Sequence, residues 1–358
     1  MKIKLVKLLT ISVQIGNYII DKDSEPFIIA EVGINHNGEI DKAFQMIKVA
    51  KDVGCDAIKF QTYKTEEFIT DKSLTYQYIS QGKEITESQF EMFKRYEFTK
   101  YQWYKIKAYC DRQNIMFLST PQNVSDLKLL LTLEIPTIKV GSDDFTNTYL
   151  LKQYEKTKLP IILSCGMSYL HEIHNVLNIF ENNYPLILML CTSQYPTPYK
   201  DVNIFKLQTL KEWFGHKVIL GFSDHTQSSL SASMAVALGA RVFEKHFTLS
   251  NALPGPDHCF SENPNGLMKW VNTIKGCYKI LGSSEVKPTD KEKEMRKIAR
   301  RSIVALKDIS VGEKLTVDNI GLHRPGIGIP AEKYESLLGS FVLNKIHKGK
   351  LIEEDDFY

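Results

Sequence analysis

Eight short apolar runs punctuate the chain between Ala30 and Thr248, and polar, chemically capable residues gather where each run ends. In order they read AEVGINHNG, DAIKFQTY, MFLSTP, IKVGSDD, IILSCGMS, LMLCTSQYP, LGFSDHT and VFEKHFT. Between most of them lie segments with apolar residues at helical spacing, such as AFQMIKVAKDVG, SDLKLLLTLE, HEIHNVLNIFE, VNIFKLQTLKEWFG and SSLSASMAVALG. Strand and helix alternating through short loops imply a parallel sheet, and eight repeats imply closure into an α/β barrel of the (β/α)8 TIM type. In that architecture the reactive groups sit at the carboxyl ends of the strands.

Three further segments stand outside this rhythm. The N-terminal residues carry Lys4 and Lys7 and then alternate Ile11, Val13 and Ile15, which reads as a β-hairpin over 10–22 turning at Gly16-Asn17 rather than a signal peptide. Lys64 to Thr99 is too long for an ordinary strand-to-helix loop; it is either a lid or substrate wall, or a solvated helical excursion. After Leu281 a charged stretch, 282–299, reads as a linker, and 300–358 restarts a short-strand pattern with Gly and Pro turns. The resulting division is a catalytic barrel over 1–281, the linker, and a small domain over 300–358 that needs a partner surface to pack on.

The 45 basic and 42 acidic residues nearly cancel, which argues against nucleic acid as a partner. No stretch reaches the length of uncharged apolar residues that a membrane helix needs. The six cysteines show no C-x-x-C spacing and several lie in apolar runs, so they read as free thiols in a reducing, cytoplasmic setting.

His225, in FSDHT, and His246, in FEKHFT, fall at the ends of consecutive strands. Two imidazoles there can share one divalent metal with positions left open, and with nearby carboxylates they suit Mn²⁺, Fe²⁺ or Zn²⁺ better than Ca²⁺. Lys59 and Lys139 lie in apolar strands, where a lysine is costly unless it meets an anion or water. Ser119, Thr120, Ser142, Ser164 and Ser223 add hydroxyls on the same rim, a set suited to a phosphate plus a carboxylate. No Walker or G-x-G-x-x-G loop is present, which argues against a nucleotide. Glu31, Asp143, Asp144 and Asp257 supply carboxylates for acid, base or hydroxyl-anchoring roles. Arg324, in HRPGIG, is either an exposed charge or a residue inserted into a site from another domain or protomer.

The ordered set AEVGINHNG, IKFQ, KVGS, FSDHT, EKHFT, GPDH and RPG resembles the sialic acid synthases and their nonulosonate relatives, over nearly the full length from about Phe27. The resemblance implies condensation of phosphoenolpyruvate with an N-acylated hexosamine, such as N-acetylmannosamine, to a nine-carbon 2-keto acid plus phosphate. It implies that the tail is an antifreeze-like (SAF, β-clip) domain that crosses a domain-swapped homodimer. Residue by residue, it assigns Mn²⁺, with Mg²⁺ or Co²⁺ as alternatives, to His225 and His246. It assigns phosphoenolpyruvate to Lys59, Thr120, Lys139, Ser142, Ser164 and Ser223, and the sugar to Glu31, Gln61, Tyr195 and Asp257. Arg324 would hold the N-acyl group. Two positions depart from the reference pattern. Asp143-Asp144 stand where it has Gly-Glu, so Asp144 would be a shortened catalytic carboxylate beside Glu31, and Ser193 stands where it has Asn. Both touch the sugar side, leaving legionaminate, pseudaminate and 9-phosphate synthases open as variants of the same reaction. On the residues alone, a Schiff-base aldolase using Lys59 or Lys139, or a non-catalytic carbohydrate-binding protein, would also fit the barrel.

Overall fold

The structure is a computed structural model that describes residues 11–358, so Lys4 and Lys7 lie outside the described residues. The chain divides into two compact units between Gly282 and Ser283.

The first unit opens with an antiparallel hairpin, β1 (Ser12–Ile15) and β2 (Tyr18–Asp21), turning through Gly16 at φ +56°. The barrel strands begin with β3 (Phe27–Gly33) and β4 (Ala57–Thr62). A second hairpin, β5 (Thr75–Ser80) and β6 (Lys83–Ser88), interrupts them. They resume as β7 (Met116–Pro121), β8 (Ile138–Val140), β9 (Ile161–Ser164), β10 (Leu186–Cys191), β11 (Ile219–Asp224) and β12 (Val242–His246). Their hydrogen-bonded order is β7-β4-β3-β12-β11-β10-β9-β8, every ladder parallel. The end strands β7 and β8 lie side by side, giving a nearly closed eight-stranded barrel.

Side chains alternate across a strand, and this alternation positions the site. Facing outward, Ile28, Ala30, Ile58, Phe60, Leu188 and Phe243 are buried beneath the helices. Facing inward, the amino-terminal halves of the strands present Phe27, Ile29, Leu118, Ile162, Met189 and Val242, and the hairpin adds Val13, Ile15 and Ile20 to the same cluster. This apolar plug fills the base of the lumen; each fully buried side chain of this kind is worth about 1.5–3 kcal/mol. Two residues further along the same inward faces stand Glu31, Thr120, Ser164, Cys191 and Glu244. Glu31 and Lys59, expected at the strand ends, sit inside β3 and β4.

Helix stops follow the glycines. The helix Ile40–Asp52 ends before Gly54 at φ +86°, and Leu230–Ala237 before Gly239 at φ +101°, conformations that favour glycine. The insertion is a mixture of the two forms expected for it. It comprises a short helix (Thr65–Phe68), the exposed hairpin β5–β6 and an amphipathic helix (Gln89–Tyr96). Gly255 N–H donates to Ser80 Oγ (3.0 Å), and Gln81 Nε2 donates to the Ala252 carbonyl (2.8 Å). The hairpin therefore leaves the end of β4 and fastens to the loop after β12, passing over β3, which lies between them.

The second unit begins with a helix, Asp290–Ala299, capped by a reciprocal Thr289–Glu292 pair and carrying no buried residue. Strands β13 (Ser302–Ala305) and β14 (Ile320–His323) follow, around a core of Ile303, Ile309, Leu315, Ile320, Val342 and Ile346.

Candidate active site

A cavity of about 430 Å³ opens at the carboxyl ends of the barrel strands, within the usual range for a small-molecule site. Its lining includes Glu31, Lys59, Gln61, Thr120, Lys139, Ser142, Ser164, Ser193, Tyr195, Ser223, His225, His246 and Asp257.

The floor is ionic and almost wholly buried. Lys59 Nζ lies 2.7 Å from Glu31 Oε2 and 3.7 Å from Glu244 Oε2, while Lys139 Nζ lies 3.7 Å from Glu244 Oε1. Lys139 also donates to Ser164 Oγ (2.7 Å), Lys59 to Thr120 Oγ1 (3.4 Å), and Ser223 Oγ to Glu244 (3.1 Å). Gln61 Nε2 donates to the second oxygen of Glu31 (3.2 Å). Burial opposes charge on Glu244, but Lys139 and Lys59 outweigh it and hold the carboxyl down at about 2. Burial, reinforced by the charge on Glu244, raises Glu31 above an ordinary glutamate, against the pull of Lys59. Burial lowers Lys139 despite the same glutamate. Two cations opposed by two carboxylates leave a floor with little net charge of its own.

The histidines stand beside it with ring centroids 5.4 Å apart. His225 Nδ1–H donates to the Thr192 carbonyl (2.7 Å), which fixes the ring, and its Nε2 lies 3.5 Å from Ser223 Oγ; burial opposes protonation of this ring, but Cys191 and the Thr192 carbonyl outweigh it and raise its pKa. His246 is kept neutral by burial and by His225, and its buried Nδ1 has no hydrogen-bond partner, lying 3.8 Å from Asp257 Oδ2. Tyr195 packs against His225 with ring centroids 4.1 Å apart and planes tilted by 38°, and Phe260 lies 5.5 Å from His246. Burial, with the charge of Glu31 behind it, pushes Asp257 up to about 7. Among the described residues no group of three or more His, Cys, Asp or Glu converges as a metal cage. Two adjacent imidazoles, His225 with its ring fixed and His246 with an orphaned ring nitrogen, fit a divalent ion held at two corners, the rest left to water and substrate oxygens.

Two residues, Asp144 and Ser119, stand elsewhere than expected. Asp144 does not line the cavity; its Oδ1 accepts from Asn147 Nδ2 (2.9 Å) at the start of the next helix, and Asp143 faces the cavity instead. Ser119 lies on the outer face of β7, where its hydroxyl meets Thr62 Oγ1 (2.7 Å) and donates to the Phe60 carbonyl (3.1 Å). Arg324 belongs to the second unit and is exposed there. Glu244 is the site residue that reading the strand ends missed. Counting back two from His246 places it on the inner face.

Gly33 and Gly166 allow the close approaches. At Gly33, whose φ is +54°, a Cβ would stand only 3.2 Å from Asp257 Oδ2. At Gly166 a Cβ would sit 2.6 Å from Ser142 Oγ and 2.5 Å from Ser193 Oγ.

Residues 46–286 match the NeuB family, and residues 300–357 match the SAF domain. The chain belongs to the NeuB family. Similar proteins include an uncharacterised protein of Methanocaldococcus jannaschii, 42% identical over 97% of each chain. They include the N,N'-diacetyllegionaminic acid synthases of Legionella pneumophila (35% identical, 88% of this chain and 89% of that protein) and Campylobacter jejuni (37%, 91% and 98%). Among solved structures, the N-acetylneuraminic acid synthetase of Leptospira borgpetersenii aligns with a TM-score of 0.71 at 33% identity, covering 80% of this NeuB-family chain and 95% of that one. Among the described residues no helix is long and apolar enough to cross a membrane.

Proposed function

We propose that this NeuB-family chain condenses phosphoenolpyruvate with an N-acylated hexosamine, releasing phosphate and a nine-carbon 2-keto acid. The observation that carries the reading is the buried floor, where Lys59 and Lys139 are backed by hydroxyls and flanked by the adjacent imidazoles of His225 and His246. The named activities of the relatives support the same reaction class.

Lys59 and Lys139 meet the phosphate and carboxylate of the enol phosphate, with Thr120, Ser164 and Ser223 donating to its oxygens. Such preorganised charge is worth most in a water-poor site. His225 and His246 would hold Mn²⁺ or a similar ion, which when bound supplies Lewis-acid polarisation of the acceptor's aldehyde oxygen. The methylene carbon of the enol phosphate bonds to the aldehyde carbon, and the aldehyde oxygen becomes a hydroxyl. Water adds to the phosphate-bearing carbon, and Glu31, its basicity raised by burial, takes the water's proton. That proton balances the one gained by the new hydroxyl. As the carbon–oxygen bond to phosphate breaks, the hydroxyl derived from water gives its proton to the departing phosphate and becomes the keto group. Gln61, Ser193, Tyr195 and Asp257 line the sugar side, and Asp143 takes the place expected of Asp144.

We assign the catalytic domain to 1–281, a linker to 282–299 and the SAF domain to 300–358; the family matches ending at 286 and starting at 300 support these limits. The resemblance supports a domain-swapped homodimer in which Arg324 grips the N-acyl group. The test is release of inorganic phosphate from phosphoenolpyruvate, with product mass, in the presence of an N-acylated hexosamine and Mn²⁺. No release with any acceptor would overturn the reading.

A further inference from the structure

The second unit has a cavity of its own, about 470 Å³, between the helix Asp290–Ala299 and the turns at Gly326 and Pro330. Lys293, Arg296, Lys297, Arg300 and Arg301 line it, and Glu332 is the one acid among the described lining residues. Helical spacing explains the convergence. Lys293, Arg296 and Lys297 stand at i, i+3 and i+4 on one face, and Arg300 is the C-cap residue a turn further on. The opposite wall is held against this face. Gly326 N–H donates to the Lys297 carbonyl (2.8 Å), and a Cβ at Gly326 would stand 2.6 Å from Arg300 Cβ and 2.8 Å from the Arg296 carbonyl oxygen. Glycine lets the turn come this close. Ser302 Oγ fixes the turn from behind, donating to the Pro325 carbonyl (2.8 Å) and accepting from Gly328 N–H (2.9 Å).

A solvated basic face that complements the helix dipole would account for Arg296 and Lys297 in the last turn. It does not account for the pairing. Acids stand nearby, and the lysines away from the cavity use them: Lys291 meets Glu294 at 3.1 Å and Lys287 meets Glu285 at 2.6 Å. At the end of the hollow Lys293 meets Asp290 at 2.8 Å. Arg296, Lys297, Arg300 and Arg301 form no ion pair among the described residues, and Glu332 engages none of them. Like charges a turn apart repel, and here the chain leaves that repulsion largely uncompensated.

The lining suits linked phosphates. Three of the four unpaired cations are arginines, whose planar forks match phosphate oxygens. Positions 293 to 300 span about 10 Å along the helix axis, longer than one phosphate and comparable with a triphosphate chain. No aromatic ring lines the hollow among the described residues, so a base has no face to stack on. We propose that this hollow in the second unit is a binding site for a small anion carrying a chain of phosphates, separate from the phosphoenolpyruvate floor of the barrel. The chain is read by Arg296, Lys297, Arg300 and Arg301, whether it is inorganic or borne by a nucleotide.

The experiment titrates the full-length protein by calorimetry with inorganic triphosphate, ATP and orthophosphate, each at saturating phosphoenolpyruvate so that the barrel floor is occupied. Triphosphate and ATP should bind with Kd values within about fivefold of each other and about tenfold or more tighter than orthophosphate. Their binding should weaken as salt is raised, since the cations are exposed. Arg296→Gln combined with Arg300→Gln should weaken triphosphate binding about tenfold or more, while Lys287→Gln combined with Lys291→Gln, which removes two cations from outside the hollow, changes it less than about twofold. If the arginine pair lowers the melt without ligand, Arg301→Gln, beyond the helix, supplies the same comparison. Equal Kd values for triphosphate and orthophosphate, or equal losses in the two double variants, mark a diffuse basic surface and overturn the inference. ATP binding far tighter than triphosphate assigns recognition to the base and overturns it too. So does displacement of triphosphate by phosphoenolpyruvate, which places the anion on the floor.

Discussion

Glu244 and Lys245 are neighbours on β12, yet they belong to two buried ionic clusters on opposite faces of the barrel wall. Outside the lumen, Lys245 lies 3.1 Å from Asp224 Oδ2 and donates to the Thr226 carbonyl, while Trp270 Nε1 donates to the same carboxylate at 2.9 Å. The other oxygen of Asp224 accepts from the Thr226 N–H (2.9 Å) and hydroxyl (2.8 Å). Every strong group in that cluster is used. Inside the lumen, Glu244 Oε2 and His246 Nδ1 are buried without a hydrogen-bond partner. A buried charge that serves the fold closes its bonds within the protein; one that serves a ligand leaves some open.

The largest effect expected from this contrast is on stability. Asp224→Ala strands the Lys245 ammonium and the Trp270 N–H, and should lower unfolding free energy by about 3–5 kcal/mol. A denaturant melt that barely moves would break the distinction. Next in size, His246→Ala should reduce kcat/KM by about 10²–10³-fold with the melt nearly unchanged, since no protein partner is lost. Stability falling as far as in Asp224→Ala would make the lumen cluster structural too.

A smaller effect concerns pH. Lysine is cationic below its pKa, and burial lowers that of Lys139, so its charge is lost at a lower pH than for an exposed lysine. The ratio kcat/KM for phosphoenolpyruvate should fall about tenfold per pH unit above that value, and Lys139→Arg should remove this alkaline limb. A limb that persists in the arginine variant assigns it to another group. The smallest change is Gly33→Ala. It places a side chain at φ +54° against Asp257, costing about 1 kcal/mol of stability and raising the sugar KM severalfold. An unaltered sugar KM would show that this contact does not shape the acceptor subsite.

What could be read from the chain followed the regularity of its elements. The short apolar runs recurring between helical segments carried the barrel strands, and consecutive strand ends brought His225 and His246 together, because neighbouring barrel strands are only about 5 Å apart. The alternation of side chains across a strand, counted back from the strand end, separates Glu244 from Lys245 and Thr120 from Ser119, so those residues were legible but required the parity of each strand. Asp143 and Asp144 sit in a loop with no period, and which carboxylate faces the cavity is decided by the Asn147 side chain capturing the other. The form of the insertion was hidden for another reason. Its hairpin is held in place by contacts with residues some 170 positions away, which local pattern cannot report.

The hairpin at the base of the barrel has a kinetic consequence. With Val13, Ile15 and Ile20 stoppering the lumen from below, the strand-end opening is the route that the described residues leave to the floor. In the proposed reaction the enol phosphate occupies the deep end and the sugar the outer one. A cul-de-sac of that kind imposes a queue: the three-carbon donor enters ahead of the acceptor, and a sugar that arrives early blocks turnover until it departs.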